Sequence, residues 1–233
     1  MGVLDRRGAD PVRSGDPLAP ATPAGAPTGE WSGMSEGGKV RLYMSMSLDG
    51  FIAGPDDGPE RGLGVDGERL HAWLRDGGVD PESHRPTDPT NAEIFDEAMA
   101  TGAVITGRRT FDHAGGWAGD HHDGVPVFVL TRSVPDEPAP GHARYLSDVQ
   151  SCVREARAAA GDRDVLLHGA SAAQACLRAG LLDELELHLV PVLLGRGRRL
   201  FEDLPPDHVE LELLRVRDGR DVLHLRYRVR TEG

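Results

Sequence analysis

The feature that most constrains the fold is the repeated alternation of short apolar segments with helical segments. Capping residues and glycines mark the ends of these helical segments. Residues 103–106 and 126–131 are apolar on both sides of an extended chain, which is typical of strands buried in a parallel sheet. Residues 148–160 have a helical pattern that begins at Asp148, a capping residue, and ends before Gly161. Strands that alternate with helices in this way predict an α/β fold with a mostly parallel sheet.

The same reasoning places the remaining elements of the parallel part. Asn91 is the expected cap of a helix over 91–100, and a second helix over 171–179 ends at Gly180. The further predicted elements are strands over 40–46 and 164–168 and a short helix over 68–75. That short helix lies within a Gly-, Pro- and Asp-rich loop over 54–90. A loop of this length inside one domain is usually functional or mobile.

The C-terminal part of the chain has a different pattern. Residues 184–190, 209–214 and 221–230 alternate between polar and apolar side chains, which predicts strands with one face in solvent. Asp218-Gly219 supplies a hairpin turn before the last strand. The predicted fold is therefore a mixed α/β sheet of the mostly parallel kind, with an antiparallel C-terminal hairpin and helices on both faces.

Residues 1–38 differ in composition from the rest of the chain. They contain five of the 17 prolines and eight of the 30 glycines, and they have no apolar periodicity. Such a segment cannot bury enough apolar surface to offset the entropy that ordering costs. We expect a disordered tail over 1–38 and a single domain over 39–231.

Charge and cysteine content exclude several classes of protein. With 26 Lys+Arg against 38 Asp+Glu the net charge is −12, unlike the basic surface of a dedicated nucleic-acid binder. No apolar run approaches the roughly 18 residues that indicate a membrane span. Cys152 and Cys176 have neither disulfide nor zinc spacing, and Arg6-Arg7 lacks the apolar stretch of an export signal. We expect a cytoplasmic protein with two buried thiols and with no nucleic-acid or membrane partner.

Two motifs lack the context that their function needs. The glycines over 62–67 match the spacing of the dinucleotide-binding fingerprint, but no strand leads into them, so a flexible loop is the better interpretation. His113, His121, His122 and Asp123 form a cluster in the sequence, yet adjacent histidines rarely point at one ion. We therefore predict a solvated loop rim at these histidines and no metal site.

Arginines and glycines follow the ends of three predicted buried strands. Residues 107–110 (Gly-Arg-Arg-Thr) follow the first strand, Thr131 and Arg132 follow the second, and residues 169–171 (Gly-Ala-Ser) follow the third and begin a helix. The N–H groups at the start of a helix favour an anion, and arginine adds forked donors that suit phosphate. Three such ends on neighbouring parallel strands would line one crevice. The sequence therefore predicts a nucleotide cofactor.

Four segments carry a resemblance to a known family. They are Ser47-Leu48-Asp49-Gly50, the Gly-Arg-Arg-Thr-Phe segment, the Val-Phe-Val-Leu-Thr-Arg segment, and the run from Ala179 to Gly195. With these segments in this order over about residues 39–230, the chain resembles the reductase domain of bifunctional riboflavin-biosynthesis proteins (the RibD C-terminal domain) and its stand-alone bacterial relatives. This superfamily shares the dihydrofolate reductase fold.

The resemblance implies NADPH as the cofactor. Arg108, Arg109 and Thr110 match the segment that holds cofactor phosphates. Thr131 and Arg132 match the pair that meets the adenosine 2′-phosphate. The other cofactor-binding positions that the resemblance implies are Gly107 before the first segment, Gly169, Ala170, Ser171 and Ala172 at the pyrophosphate, and Ile52 and Ala53 near the nicotinamide.

The substrate and the catalytic residues are less defined. Riboflavin-pathway reductases carry a lysine where this chain has Tyr43, and this chain has no deaminase half. Asp49 and His168 are the catalytic candidates, although Asp49 could equally be a turn residue and His168 a hydrogen-bonded histidine at a strand end. Dihydrofolate reductases have a carboxylate early in their first long helix, where Glu93 and Asp96 stand here.

Three functions remain open at this point. The first is an NADPH-dependent reductase of a small heterocyclic substrate, pterin- or pyrimidine-like. The second is the riboflavin-pathway reductase of 5-amino-6-(5-phosphoribosylamino)uracil. The third is an NADPH-binding protein without catalysis.

The last predicted strand indicates self-association. Its apolar face, which we assign to Val222, Leu225, Tyr227 and Val229, is larger than a solvated edge needs, and edge strands with such faces are usually covered. Relatives in the family pair as dimers. We therefore expect a homodimer.

Overall fold

The computed structural model describes residues 38–75, 85–136, 141–202, 204 and 208–230. Nearly all of the predicted tail lies outside these residues. Its last residue, Gly38, belongs to the folded part, because it is buried and its N–H donates to the carbonyl of Gly161 at 3.4 Å.

The described residues form ten strands and four α-helices. The strands are β1 (Val40–Ser47), β2 (Phe51–Ala53), β3 (Ala103–Gly107), β4 (Val127–Leu130), β5 (Ala143–Leu146), β6 (Val165–His168), β7 (Glu184–Val190), β8 (Arg198–Arg199), β9 (Leu211–Gly219) and β10 (Val222–Val229). The helices are α1 (Pro89–Met99), α2 (Arg108–His113), α3 (Val149–Ala160) and α4 (Ala170–Arg178). Two 3-10 helices, Gly67–Leu74 and Gly115–Gly119, complete the set.

Eight strands form one sheet in the order β5-β4-β3-β6-β1-β7-β10-β9. The pairs from β5 to β7 are parallel, whereas β10 runs antiparallel to both β7 and β9. The predicted mixed sheet with an antiparallel C-terminal hairpin is thus confirmed. β2 and β8 pair in a separate two-stranded sheet. The sequence analysis missed β5, because the side chains over 143–146 have no apolar pattern.

Helix α3 has the cap that its sequence predicts, and α1 does not. Asp148 accepts the Ser151 N–H at 2.7 Å. Helix α1 begins at Pro89, and its cap is Asp88, which accepts the N–H of Asn91 at 3.0 Å. The prediction of Asn91 as the cap was therefore wrong. The side chain of Asn91 is fully buried and bonds the chain outside its helix instead.

The two faces of the sheet are packed differently. On one face, α3 and α4 cover apolar side chains that include Leu42, Ile105 and Leu167, and both free cysteines are buried there. On the other face lie α1 and the first 3-10 helix, with Leu70, Trp73 and Ile94 in a smaller cluster. No helix in the described part of the chain is long and apolar enough to cross a membrane.

The polar face of β7 is buried, contrary to the prediction of a solvent face. Glu184, Glu186 and His188 are 2%, 0% and 0% exposed. The alternation of polar and apolar residues correctly indicates a strand, but it does not indicate solvent. Arginines pair with the two glutamates, and the Nδ1 of His188 contacts the Nδ1 of His224 at 2.8 Å. These contacts offset much of the cost of burial, although the Nε2 of His188 has no partner among the described residues.

Glu186 is the centre of a buried charge network beneath α1. Arg226 on β10 pairs with Glu186 and with Glu97 of α1, and Arg215 on β9 donates to Glu97 at 2.8 Å. Burial alone would raise the pKa of Glu97, but hydrogen bonds from the two guanidinium groups lower it to about 2. The network therefore fastens α1 to β7 and to the β9–β10 hairpin, both of which are distant from α1 in sequence.

The hairpin differs from its predicted form in turn and register. Gly219 pairs with Val222, so the turn residues are Arg220 and Asp221, and Asp221 has φ 60. Val222 is on the same face as His224, not on the apolar face assigned from the sequence. The apolar face instead combines residues of both strands, namely Leu211, Leu213, Val216, Leu223, Leu225, Tyr227 and Val229.

Removing the charge of Glu186 should destabilise the fold strongly. We expect Glu186→Gln to cost about 3–5 kcal/mol of unfolding free energy, because it leaves buried guanidinium charge without its partner. Urea denaturation measures this loss. The control is Glu212→Gln on β9, where a 37% exposed carboxylate pairs with Arg228 and the expected cost is about 0–1 kcal/mol. Equal losses in the two variants would contradict the role of the network.

Candidate functional site

The three predicted anion-binding segments meet at one edge of the sheet. Strands β4, β3 and β6 are neighbours and run parallel, so their carboxyl ends are adjacent. Thr131 follows β4, Gly107 ends β3 and leads into α2, and Gly169 separates β6 from α4. This edge is where open α/β sheets bind their ligands.

Two helix starts approach each other closely at this edge. Gly169 has φ +87, and a Cβ there would lie 2.2 Å from the Oγ1 of Thr110. A Cβ on Gly107 would lie 3.7 Å from the N atom of Ala172 in α4. Neither capping residue, Gly107 or Gly169, supplies a side-chain acceptor to its helix. The first-turn N–H groups are therefore left for an external acceptor, which fits a phosphate group.

The predicted arginines have different surroundings. Arg109 donates to both carboxylate oxygens of Asp57, at 3.0 and 2.8 Å, and these bonds hold the pKa of Asp57 below its usual value. Arg108 instead pairs with Asp112 one turn along α2. Arg132 is exposed and makes no ion pair with any residue in the described ranges. Of the predicted arginines it is the one without an ionic partner among the described residues.

The sequence analysis missed Asp57 and Arg198. Arg198, on β8, donates to the Ser171 hydroxyl at 3.4 Å, so it lies beside the start of α4. No local pattern identifies either residue, because Asp57 is in a loop and Arg198 is about 90 residues from Arg109 in the chain.

A cavity of about 1120 Å³ extends from the edge of the sheet to α1. Of the predicted site residues, its lining contains Ile52, Ala53, Arg109, Thr110 and His168. The other predicted cofactor residues are not among the lining side chains. Aromatic and sulfur-containing side chains supply much of the remaining wall, namely Tyr43, Met44, Trp73, Phe95, Met99 and Trp117.

The loop over 54–75 is a packed wall of this cavity. Gly64 has φ +72, and a Cβ there would lie 2.5 Å from the carbonyl oxygen of Gly54. Trp73, in the 3-10 helix Gly67–Leu74, is 1% exposed and donates its indole N–H to Ser45 at 2.9 Å. The interpretation of these glycines as a flexible loop was therefore wrong, since they permit close packing.

The paired histidines also form a wall, not a solvated rim. His122 is 9% exposed, and its Nδ1 lies 2.7 Å from the Nδ1 of His121. The Nε2 of His121 lies 3.1 Å from the Nε2 of His168. The ring nitrogens thus bond one another in a row, and no group of three candidate ligands suited to a metal is found among the residues described.

His168 has a defined orientation at the end of β6. Its Nδ1 lies 3.0 Å from the backbone carbonyl of Tyr43. Burial lowers the pKa of His168 to about 4 and that of His121 to about 2. Both rings are therefore neutral at physiological pH.

Asp49 is placed as a turn residue. Its carboxylate accepts the Ser47 hydroxyl at 2.6 Å and the N–H groups of Leu194 and Gly195 at 3.1 and 2.7 Å. The Ser47 hydrogen bond is the largest cause that lowers the pKa of Asp49, to about 2. Asp49 is not part of the cavity lining, so the geometry favours loop anchoring, and its catalytic role stays a prediction.

The far end of the cavity holds an unpaired phenol and an ion pair. The Tyr43 hydroxyl is buried and has no hydrogen-bond partner in the part of the chain that is described, and burial raises its pKa. Arg85 donates to both oxygens of Asp96 at 2.7 and 2.6 Å. Of the two carboxylates of α1 considered from the sequence, Asp96 lines the cavity, whereas Glu93 faces Arg215 and Arg217.

Solved structures share this architecture. A protein from Shewanella sp. PV-4 described as a riboflavin biosynthesis protein has a TM-score of 0.60 at 20% identity, with 83% of this chain and 99% of that chain covered. A dihydrofolate reductase from Enterococcus faecalis complexed with NADP(H) has a TM-score of 0.51 at 16% identity, with 83% and 97% covered. The fold is that of the dihydrofolate reductase-like class.

A further solved structure is the deaminase/5-amino-6-(5-phosphoribosylamino)uracil reductase of Thermotoga maritima, with a TM-score of 0.54 at 16% identity. The alignment covers 83% of this chain and 57% of that one. No curated protein sequence matches this chain. The family profile described as the RibD C-terminal domain matches residues 38–225. The chain belongs to the RibD C-terminal domain family.

The contact between Gly169 and Thr110 can be tested by adding one methyl group. We expect Gly169→Ala to lower the unfolding free energy and to weaken NADPH binding, because Thr110 must move away from the start of α4. The control is Gly180→Ala after the same helix, which has φ +65 and no atom within 4 Å of a new Cβ. It should cost about 1 kcal/mol of stability through backbone strain and leave NADPH binding unchanged. Thermal unfolding and calorimetry measure both effects, and an unchanged NADPH affinity in Gly169→Ala would argue against a cofactor at this junction.

Proposed function

We propose that the protein is an NADPH-dependent reductase that transfers hydride to a small, planar heterocyclic substrate. The observation that carries the proposal is a cavity that extends from the first turn of α2, where Thr110 lies against Gly169 at the start of α4, to an aromatic wall beneath α1. The family, and the NADP(H) complex of a protein with this fold, support the same function. When bound, NADPH would supply the hydride.

The cofactor end would be held by residues at the three strand ends. The N–H groups at the start of α4 would hold the pyrophosphate beside Thr110, with Arg198 close by. Thr131 and the exposed Arg132 would meet the adenosine 2′-phosphate. Ile52 and Ala53, which are 7% and 6% exposed and line the cavity, would lie against the nicotinamide and exclude water from it.

The substrate end suits a flat ring without a phosphate. Trp73, Phe95 and Met99 offer apolar surface, and the unpaired Tyr43 hydroxyl would donate to a ring nitrogen or carbonyl oxygen. The guanidinium of Arg85 is already held by Asp96. A substrate phosphate at that point would have to displace a carboxylate.

The second candidate is the reduction of 5-amino-6-(5-phosphoribosylamino)uracil. The Thermotoga maritima reductase of that name shares the fold, and the chain belongs to the same domain family. Two features argue against this candidate. The chain has Tyr43 where riboflavin-pathway reductases carry a lysine, and Arg85 is already paired with the carboxylate of Asp96. The substrate experiment separates the two candidates.

The test has a binding step and a turnover step. Calorimetry with NADPH and with NADH measures the preference for the 2′-phosphate, and absence of NADPH binding would end the reductase proposal. Consumption of NADPH is then followed with pterins, with pyrimidines that carry or lack ribose phosphate, with flavins and with quinones. Turnover of an unphosphorylated ring supports the first candidate, and turnover of the phosphoribosyl compound alone supports the second. Binding without any turnover would identify a cofactor-binding protein.

Arg132 should determine the preference for NADPH over NADH in binding affinity. We expect Arg132→Ala to weaken NADPH binding by about 1.5–3 kcal/mol, because a charged hydrogen bond to the 2′-phosphate is lost, which is about 10- to 100-fold in affinity. NADH affinity should not change. The control is Arg154→Ala on α3, an exposed arginine that bonds Ser151. Equal losses for both cofactors in Arg132→Ala would refute the 2′-phosphate assignment.

We also propose that the outer hairpin forms the homodimer expected from the sequence. Leu213 and Val216 on β9 and Leu223 on β10 are 54%, 48% and 40% exposed on one sheet face. An apolar face of this kind is usually covered. In light scattering we expect a dimer for the native chain and for Val134→Asp, an exposed residue elsewhere, and a monomer for Leu213→Asp. A native monomer at micromolar concentration would refute the dimer.

A further inference from the structure

One carboxylate lies among the basic side chains at the sheet-edge end of the cavity. Asp57 is in the loop after β2, and its side chain is 14% exposed. Both of its carboxylate oxygens accept from Arg109, and the Nδ1 of His113 lies 3.5 Å from one of them. These three residues and Arg198 all line the cavity. A negative group of the chain is therefore already present where the proposed function would bring the phosphates of a cofactor.

Arg109 holds Asp57 through three hydrogen bonds. Its Nε donates to the carboxylate at 3.0 Å. Its Nη2 donates to the carboxylate at 2.8 Å and to the backbone carbonyl of Asp57 at 2.9 Å. This forked arrangement is the one in which a guanidinium binds a carboxylate or a phosphate most strongly. The same two nitrogens cannot bind a phosphate in this way while they hold Asp57.

The surrounding charges favour one anion at this position and disfavour two. Hydrogen bonding from Arg109 is the largest cause that lowers the pKa of Asp57, and attraction by His113 and Arg198 acts in the same direction. Arg198 also donates to the Ser171 hydroxyl at the start of α4, where the pyrophosphate would bind. A phosphate that enters beside Asp57 would therefore meet a guanidinium that is already neutralised and a carboxylate that repels it.

We propose that Asp57 competes with the cofactor for Arg109. In the free protein the carboxylate of Asp57 takes the position of a cofactor phosphate. NADPH must displace it before the guanidinium of Arg109 can bind the pyrophosphate, which would lie beside the neighbouring Thr110. The inference concerns the regulation of the cofactor site, and it rests on the reductase function proposed above.

Competition of this kind makes the site selective for a ligand with several anionic groups. A single phosphate would gain Arg109 but would break the pair with Asp57, so little net binding free energy would remain. NADPH would also meet the N–H groups at the start of α4, and its 2′-phosphate would meet Arg132, so these further contacts can offset the loss of the pair. The apparent affinity is reduced in proportion to the fraction of molecules in which Arg109 is free.

The displacement does not require the loop to unfold. Backbone hydrogen bonds within the loop join Gly54 to Leu63 and Gly58 to Arg61. These bonds do not involve α2, so they persist when the bonds from α2 to Asp57 are exchanged for bonds to a phosphate. A substitution that removes only the charge of Asp57 therefore tests the competition while the loop keeps its internal bonds.

Calorimetry with NADPH tests the direction of the effect. We expect Asp57→Asn to bind NADPH about tenfold more tightly than the native chain, which corresponds to a guanidinium that is free in about one tenth of the native molecules. The physical reason is that a neutral amide holds a guanidinium less strongly than a carboxylate does. Unchanged or weaker NADPH binding in Asp57→Asn would overturn the competition, because it would show that Asp57 only positions Arg109.

The matched control is Asp56→Asn, which removes the same charge from the neighbouring residue. Asp56 is exposed and has φ 58, a conformation that asparagine tolerates. In this variant we expect the affinity for NADPH to change by less than about twofold, because solvent screens an exposed charge. An equal gain in the two variants would be a general effect of net charge and would also overturn the proposal.

Inorganic pyrophosphate tests the competition separately from the reductase function. We expect it to bind Asp57→Asn about tenfold more tightly than the native chain, for the same reason as NADPH, and to bind Asp56→Asn as it binds the native chain. Equal binding to the three chains, or no binding to any of them, would contradict the proposal. If NADPH binds none of the chains, the reductase function fails, and the pyrophosphate titration still decides whether Asp57 competes for an anion.

A crystal structure of the native chain with NADPH, or with pyrophosphate if NADPH does not bind, would show the displacement directly. We expect the guanidinium of Arg109 on a phosphate group and the carboxylate of Asp57 no longer within hydrogen-bond distance of it. Arg109 that still holds Asp57 through Nε and Nη2 in the complex would refute the exchange of partners, whatever the affinities of the variants.

Discussion

The close approach of Gly169 to Thr110 is the contact on which the rest of the site depends. It lets the starts of α2 and α4 lie side by side at the ends of β3 and β6. Any side chain at residue 169 would separate them, because the space is already filled by the threonine and because φ +87 disfavours L side chains. The paired N–H groups, and therefore the proposed phosphate site, exist only while that gap stays closed.

The two faces of the sheet have different compositions and different roles. One face is apolar, and α3 and α4 cover its parallel part, whereas the apolar side chains of the outer hairpin are exposed. The other face presents Tyr43, Ser45, Glu186 and His188 in neighbouring register positions. Buried polar groups are tolerated there because arginines and ring nitrogens pair with them. The Tyr43 hydroxyl and the Nε2 of His188 have no hydrogen-bond partner among the described residues, and Tyr43 lines the cavity.

The same burial explains why histidines gather on that face. A neutral imidazole can donate with one nitrogen and accept with the other, so a row of rings satisfies itself without a net charge. His188 and His224, whose Nδ1 atoms are 2.8 Å apart, make one such contact in the interior, where the Nε2 of His188 has no partner among the described residues. His168, His121 and His122 form a similar row at the cavity wall.

Much of the fold could be predicted from the sequence because its signals are local. Strand β3 is recognised from its own apolar residues, which lie within one strand. The Asp148 cap of α3 is recognised from residues within one helical turn. The position of α1 was misjudged by two residues because Asp88 and Asn91 are both capping residue types, and only the burial of Asn91 distinguishes them. For the site, the glycines and arginines at strand ends could be found, whereas Asp57 and Arg198 could not.

The sequence by itself determined the order of strands and helices and the residue types at the strand ends, since periodicity, caps and breakers act between neighbours along the chain. Only the tertiary structure decided that the polar stripe of β7 is buried, that Asp57 holds Arg109, and that His121 and His122 form a wall with His168. Each of those outcomes joins side chains that are far apart in sequence, and burial depends on what packs across a face, which alternation along one strand does not encode.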